Sequence, residues 1–238
     1  MSEMQVSAGP VDIGEMGPRP FAEIPGLWMK VTQMSQEFFS LEAPRTSGVN
    51  TLLGVVIYAA VVAIVQAVIR MLAGPAAVPA GDQLVLLTSM VAGFAGTLLG
   101  FYVGYGLQYL GARILGGSGS FGPQVYLMSL FIVPIGILTA LSQLMPYALS
   151  VLSPGSIPLL IVSIIFLILL LVLIIYGLVL NARVIMVMHR FTAGRAVAAM
   201  LLPALVAVLV CCGGLLMLGP VVNNVFSNVM LNVPTPAR

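Results

Sequence analysis

LLIVSIIFLILLLVLII, residues 159–175, has leucine, isoleucine or valine at every position except Ser163 and Phe166. An α-helix needs about 20 consecutive apolar residues to cross the roughly 30 Å hydrocarbon core of a bilayer. Because apolar side chains surround this helix on all sides, most of its circumference is expected to face lipid. The stretch therefore predicts a membrane-spanning helix, over residues 157–182.

The rest of the chain has a similar composition. Of its 238 residues, 60% are hydrophobic and only 7% are charged, whereas globular chains average about 25% charged residues. Four other apolar blocks are also long enough to span a bilayer. The sequence thus predicts an all-α, polytopic membrane protein with five transmembrane helices, at residues 50–72, 84–112, 124–146, 157–182 and 196–218.

Both ends of the chain are more polar. Residues 1–25 contain four prolines and few large apolar groups, which predicts a disordered cytoplasmic tail. Residues 26–49 are predicted to form an amphipathic interfacial helix and a linker, with its apolar face either in the membrane interface or packed on the protein's own surface. The interfacial anchors of that helix are Trp28, Phe38 and Phe39. A second amphipathic surface segment is predicted at residues 219–238.

The basic residues indicate the orientation, because cytoplasmic loops carry an excess of Lys and Arg. With a cytoplasmic N-terminus, seven of the nine basic residues lie inside and only Arg70 and Arg238 lie outside. The C-terminus is then external. The polar loops also contain candidate contacts for anionic lipid or a partner, although the same residues are explained equally by topology. These are Arg113, Arg183, His189, Arg190 and Arg195.

Catalytic and metal-binding residue types are scarce. No Asp or Glu follows Asp82, and His189 is the only histidine, so carboxylate catalysis and Asp/Glu metal sites lack their ligands there. Residues 117–122, GSGSFG, match GxGxxG, but a membrane helix precedes them and no acidic residue follows. They are predicted to form a tight turn. We expect no enzyme activity, no cofactor and no metal, and a net charge of +2 gives no reason to expect a nucleic-acid partner.

Two features inside the spans concern helix packing. Small residues at a spacing of four form a strip on the second helix, which lets another backbone approach closely, either from the same chain or from a second copy or partner. The strip consists of Ala92, Gly96, Gly100 and Gly104. In the third helix, Pro134 removes a backbone hydrogen bond and predicts a kink. A solute path would have to use the isolated polar residues Gln66, Gln108, Ser129 and Asn181.

The ordered combination of these features resembles the Ypt-interacting protein (Yip) membrane family. The resemblance covers roughly residues 26–218 and includes a five-helix domain at residues 50–218. It is carried by Trp28 with Phe38-Phe39, by Leu115-Gly116-Gly117-Ser-Gly-Ser-Phe121, by Pro134 and by the turn from His189 to Ala196. Eukaryotic relatives act in the early secretory pathway with Rab-type GTPases. This chain has Glu42-Ala-Pro-Arg-Thr-Ser-Gly48 in place of an Asp-Leu-Tyr-Gly-Pro type motif, and is more similar to prokaryotic members.

The resemblance implies a non-catalytic protein of a prokaryotic plasma membrane. Its expected role is that of a structural, scaffolding or membrane-organising component, or an accessory subunit of a larger membrane complex. The expected partners are the lipid bilayer, anionic lipids and other membrane proteins or a second copy of the chain. The alternative is a transporter or channel-like protein for a small or lipidic solute.

Overall fold

The computed structural model describes residues 17–30, 33–72, 83–145, 147–148, 157–206 and 208. The described residues contain helices and no strand, which confirms the all-α class. Two short helices, α1 (Ile24–Trp28) and α2 (Gln36–Glu42), precede the long helices α3 (Gly48–Leu72), α4 (Gln83–Ile114), α5 (Phe121–Ser142) and α6 (Ile157–His189). A further apolar helix, α7, follows at Ala193–Val206. Single 3-10 turns lie at Phe21–Glu23 and Ala43–Arg45.

Four of these helices, α3 to α6, are long and apolar enough to cross a membrane, with 25, 32, 22 and 33 residues. The integral membrane character is therefore confirmed. The fifth predicted span, 196–218, begins within α7 and continues past the described residues. The predicted surface segment 219–238 lies wholly outside them.

Helix α6 ends at His189, whereas the sequence predicted its end at residue 182. The apolar run stops at Asn181 and Arg183, which is why a hydropathy argument ends the helix there. The additional turns are nevertheless packed, because Val184 and Ile185 are fully buried in the main core cluster. Tertiary contact therefore extends the helix beyond the apolar segment.

The core lies at one end of the bundle. Helix α3 packs along α4 and α5, and α5 also packs along α6. Every residue of α5 from Gln124 to Phe131 is buried. By contrast, the most apolar 18 residues of α6 include none that is buried, so this helix presents its apolar surface outward, as its composition predicts.

The segment before α3 corrects two predictions. Residues 17–25 are not a disordered tail, because Arg19 bonds Glu42 and Asn50 and residues Phe21–Glu23 form a 3-10 turn; residues 1–16 lie outside the described part. Phe39 is fully buried and packs edge-on against Phe131, with ring centroids 6.3 Å apart. Phe39 is therefore not an interfacial anchor; of the two arrangements predicted for this apolar face, it shows packing on the protein's own surface. Trp28 and Phe38 are half-buried beside the same core.

Candidate functional site

Almost all charged residues of the described part collect at one end of the bundle. Helices α3 and α5 run in the same direction, since Gly54 lies beside Val133 and Gly136 beside Tyr58. They begin at the end where α4 and α6 finish. Apart from Arg70, the charged residues lie at this end, which we call the charged end. They are Arg19, Glu23, Lys30, Glu37, Glu42, Arg45, Arg113, Arg183, Arg190 and Arg195.

A buried carboxylate lies at the centre of the charged end. Glu42, the last residue of α2, is only 2% exposed. The Arg19 guanidinium donates two hydrogen bonds to it, from Nε to Oε1 at 2.6 Å and from Nη2 to Oε2 at 2.9 Å. The Tyr126 hydroxyl donates a third, to Oε1 at 3.0 Å. The carboxylate is thus compensated on both oxygens, as a buried charge requires.

Arg19 is held in turn by its neighbours. Its Nη1 pairs with Glu23 at 2.7 Å, and its backbone carbonyl accepts a hydrogen bond from Asn50 Nδ2 at 2.6 Å. Hydrogen bonding to Glu42 raises the pKa of Arg19 above its ordinary value, so the positive charge persists at every accessible pH. These contacts fasten the segment before α3 to the first turn of α3 and, through Tyr126, to α5.

Arg183 provides a further attachment from α6. Its Nη1 donates a hydrogen bond to the backbone carbonyl of Met34 at 2.9 Å. This residue was predicted to contact anionic lipid or a partner, yet one of its donors serves an intramolecular bond. The segment carrying α1 and α2 is therefore fastened to three of the long helices.

His189 also departs from its predicted role as an external contact, because it is only 2% exposed. The Gly119 N–H donates to its Nδ1 at 3.2 Å. Since Nδ1 accepts, the ring proton lies on Nε2, which donates to Gln124 Oε1 at 2.8 Å. This neutral imidazole joins the end of α6 to the start of α5. The external role predicted for His189 is wrong, because the side chain is buried. This burial results from packing between distant residues, which the sequence does not show.

The glycine-rich turn between α4 and α5 is shaped by the same histidine. A Cβ at Gly117 would overlap the His189 ring, and one at Gly119 would overlap the Met188 carbonyl. Gly116 has φ +85°, a left-handed conformation that favours glycine. The turn therefore needs glycine for close approach to α6. Its Gly119 N–H is already used by His189, which argues against a phosphate cradle.

Three of the predicted basic contacts remain exposed at the charged end. Arg113 donates a hydrogen bond to the Gly117 carbonyl at 3.1 Å, and its guanidinium lies 5.9 Å from the centre of the Tyr109 ring. Arg190, which has φ 54°, directly follows the last residue of α6. Arg195 lies in the first turn of α7. Together they form a basic surface beside the glycine-rich turn.

The small-residue strip of α4 is exposed in the described structure. Apart from adjacent residues and the backbone of α4 itself, no atom of the described residues lies within 4 Å of a Cβ placed on Gly96, Gly100 or Gly104, and Ala92 is exposed as well. Further along α4 the situation changes, since a Cβ on Gly111 would lie 2.9 Å from the Ala199 carbonyl oxygen of α7. The strip therefore offers close backbone approach along most of its length.

Cavities adjoin the strip within the membrane-spanning region. A groove of about 410 Å³ lies between the strip, Tyr58, Tyr105 and Gln108. A second cavity of about 260 Å³, which shares Tyr105 and Ile132 with the groove, is lined by Asn181, and a third of about 290 Å³ is lined by Gln66. Three of the four isolated polar residues thus line cavities. Ser129 instead donates a hydrogen bond to the Tyr126 carbonyl at 2.7 Å, and Pro134 lies inside α5 as expected.

Sequence reasoning missed the residues that build the charged end. Arg19 and Glu42 are 23 positions apart, and neither spacing nor composition pairs them. Tyr126 and Gln124 resemble any polar residues at the start of a span. The one available signal was Glu42 itself, a carboxylate in a segment whose neighbours are large and apolar. Within the described residues, no three His, Cys, Asp or Glu side chains lie close enough to hold a metal ion.

Comparison with known proteins identifies a family. A family model described as the Yip1 domain matches residues 31–215, most of the chain. Searches of curated proteins and of solved structures found no match.

We expect Glu42→Ala to destabilise the charged end, because it leaves Arg19 without its main buried partner. The free energy of unfolding should fall by about 3 kcal/mol, the lower part of the range for breaking a buried ion pair, since Arg19 is partly exposed. Thermal unfolding in detergent, followed by emission of the single residue Trp28, measures this. Glu37→Ala, an exposed site on the same helix, is the control. Equal melting of the two variants would contradict the expectation.

Proposed function

Because this chain belongs to the Yip1-domain family, we propose that it is a non-catalytic membrane component that works by contact with other membrane proteins. It serves as a scaffold or membrane-organising component, or as an accessory subunit of a larger membrane complex. The observation that supports this most directly is the strip of α4, where described residues leave Gly96, Gly100 and Gly104 open to another helix. Helix pairs in membranes associate through such small-residue faces because the backbones can approach closely.

The proposed topology has five spans, the last beginning at α7. Its support is the apolar helix Ala193–Val206 and the apolar sequence that follows it to residue 218. The concentration of basic residues at the charged end supports a cytoplasmic N-terminus, and an odd number of spans then puts the C-terminus outside. The membrane is proposed to be a prokaryotic plasma membrane.

Gly100→Leu tests the strip as a contact between chains. A leucine side chain holds the partner backbone away, so association with a second copy or partner should weaken at least tenfold while the monomer keeps its melting temperature. The measurement is cross-linking yield and co-purification in mild detergent.

Gly106→Leu is the matched control, since Gly106 also has open space around it but lies about 120° away around the helix axis. If Gly100→Leu destabilises the monomer and leaves association unchanged, the strip is covered by the chain's own fifth span and the proposed contact is wrong.

The exposed arginines of the charged end are proposed to hold anionic headgroups or a partner's acidic surface. Each basic residue near an anionic surface contributes about 1 kcal/mol. Arg190→Asn combined with Arg195→Gln should therefore lower the enrichment of phosphatidylglycerol over phosphatidylcholine around the protein by roughly tenfold or more, as measured by native mass spectrometry from nanodiscs. Arg70→Gln, at the opposite end, is the control. Equal enrichment in all three proteins would contradict this role.

A second candidate function is movement of a small or lipidic solute through the bundle. The observation in its favour is that the three cavities adjoin one another. Tyr105 lines both the groove and the cavity of Asn181, and Tyr58 lines both the groove and the cavity of Gln66. This function predicts flux of a fluorescent short-chain lipid in proteoliposomes, and slower flux with Gln66→Leu. Flux no faster in proteoliposomes than in protein-free liposomes would contradict this function.

A further inference from the structure

Asn181 is a buried amide with an unmet hydrogen-bonding requirement. It lies on α6, is 6% exposed, and its side-chain oxygen has no hydrogen-bond partner among the described residues. An unpaired amide buried among apolar side chains costs free energy, up to several kcal/mol when nothing nearby can supply the missing bond. Such a group requires a donor from elsewhere.

The space beside Asn181 can admit a donor. Asn181 lines the cavity of about 260 Å³ between α4, α5 and α6. Besides Asn181, Tyr105, Thr139 and Gly177, its lining is entirely aliphatic. Its volume is a little below the range of about 300–1,000 Å³ for drug-sized ligands, which suits one slender chain better than a bulky solute.

Part of the wall of this cavity belongs to the exposed surface of α6 in the described structure. Two of its lining residues, Ile174 and Leu178, are 50% and 52% exposed on the outer surface of α6. That surface belongs to the most apolar of the described helices. A molecule dissolved in the bilayer can therefore reach the cavity from the side of α6.

The polar and apolar ends of the cavity are arranged like those of a membrane lipid. Counting from Ile157, about 20 residues of α6 cross the hydrocarbon, so Asn181 lies close to its boundary on the charged side. From there the α6 lining descends through Gly177 and Ile174 to Leu170, about 16 Å along the helix at 1.5 Å per residue. The polar group is thus at the headgroup end and the aliphatic lining points towards the bilayer centre.

We propose that this cavity binds a membrane lipid with a free hydroxyl group, whose hydroxyl bonds Asn181 and whose hydrocarbon chain lies along α6 from Gly177 towards Leu170. A hydroxyl fits because it both donates and accepts, and so satisfies the amide in either orientation. The site is independent of the proposed contact between chains, since none of the residues that line it belongs to the strip of α4.

A neighbouring amide has the same requirement. The side-chain oxygen of Gln108 is buried and has no partner among the described residues, and Gln108 lines the groove that shares Tyr105 with this cavity. Two acceptors of the same kind therefore lie in neighbouring cavities. The second supports a preference for hydroxyl-bearing molecules on this side of the bundle.

The test uses two photoactivatable probes in nanodiscs containing the full chain. One is a long-chain alkyl alcohol with a diazirine in its tail, and the other is the methyl ether of the same compound, which cannot donate a hydrogen bond. We expect the alcohol to label peptides of α5 and α6 about tenfold more than the ether, the effect of one hydrogen bond to a buried amide. Asn181→Ala should reduce labelling by the alcohol to the level of the ether.

Gly177→Leu is the second variant, because a Cβ there has open space and the larger side chain would fill the cavity. It should abolish labelling by both probes, while Gly106→Leu should leave both unchanged. Equal labelling by alcohol and ether in the unaltered protein, as a cavity occupied by water would give, overturns the proposal. So does labelling that neither Asn181→Ala nor Gly177→Leu reduces.

Discussion

The buried carboxylate of Glu42 is the interaction on which the charged end depends. Removing a charge from water costs several kcal/mol, and the protein recovers this only when the opposite charge and further donors meet it in good geometry. Arg19 and Tyr126 provide both. Because Arg19 is also bonded to Asn50, compensation of one carboxylate orders the whole segment before α3 and places its aromatic residues on the core.

The requirement that buried polar groups find hydrogen-bonding partners is met differently inside the bundle. At the charged end, Glu42 and His189 have partners on their polar atoms, and the one buried side-chain polar atom there without a partner among the described residues is Gln124 Nε2. In the spans, the Asn181 and Gln108 oxygens have none among the described residues, and both line cavities. A protein built only for packing would replace such amides with aliphatic side chains at a gain in stability. Their presence beside open space is best explained by molecules that enter from the membrane.

This division assigns different tasks to different helices. Helix α5 is buried along its first half and carries the core. Helices α4 and α6 bury little of their apolar length and so offer surfaces to lipid and to other helices. The exposed strip belongs to α4 and the polar cavity lies beside α6, so the proposed contact with other proteins and the proposed lipid site are separable by mutation. Neither surface contains the paired carboxylates or the metal ligands of a catalytic site.

The sequence by itself determined the membrane class, the starts of four spanning helices within a few residues, and the tight glycine turn. These follow from local composition, because hydrocarbon accepts only apolar helices with internally bonded backbones. Only the tertiary structure decided that Phe39 faces the core, that His189 is a buried neutral link, that α6 continues to its end and that Arg19 meets Glu42. Each depends on residues far apart in the chain. Hydropathy cannot distinguish an apolar face that contacts lipid from one that contacts protein, since both environments are apolar.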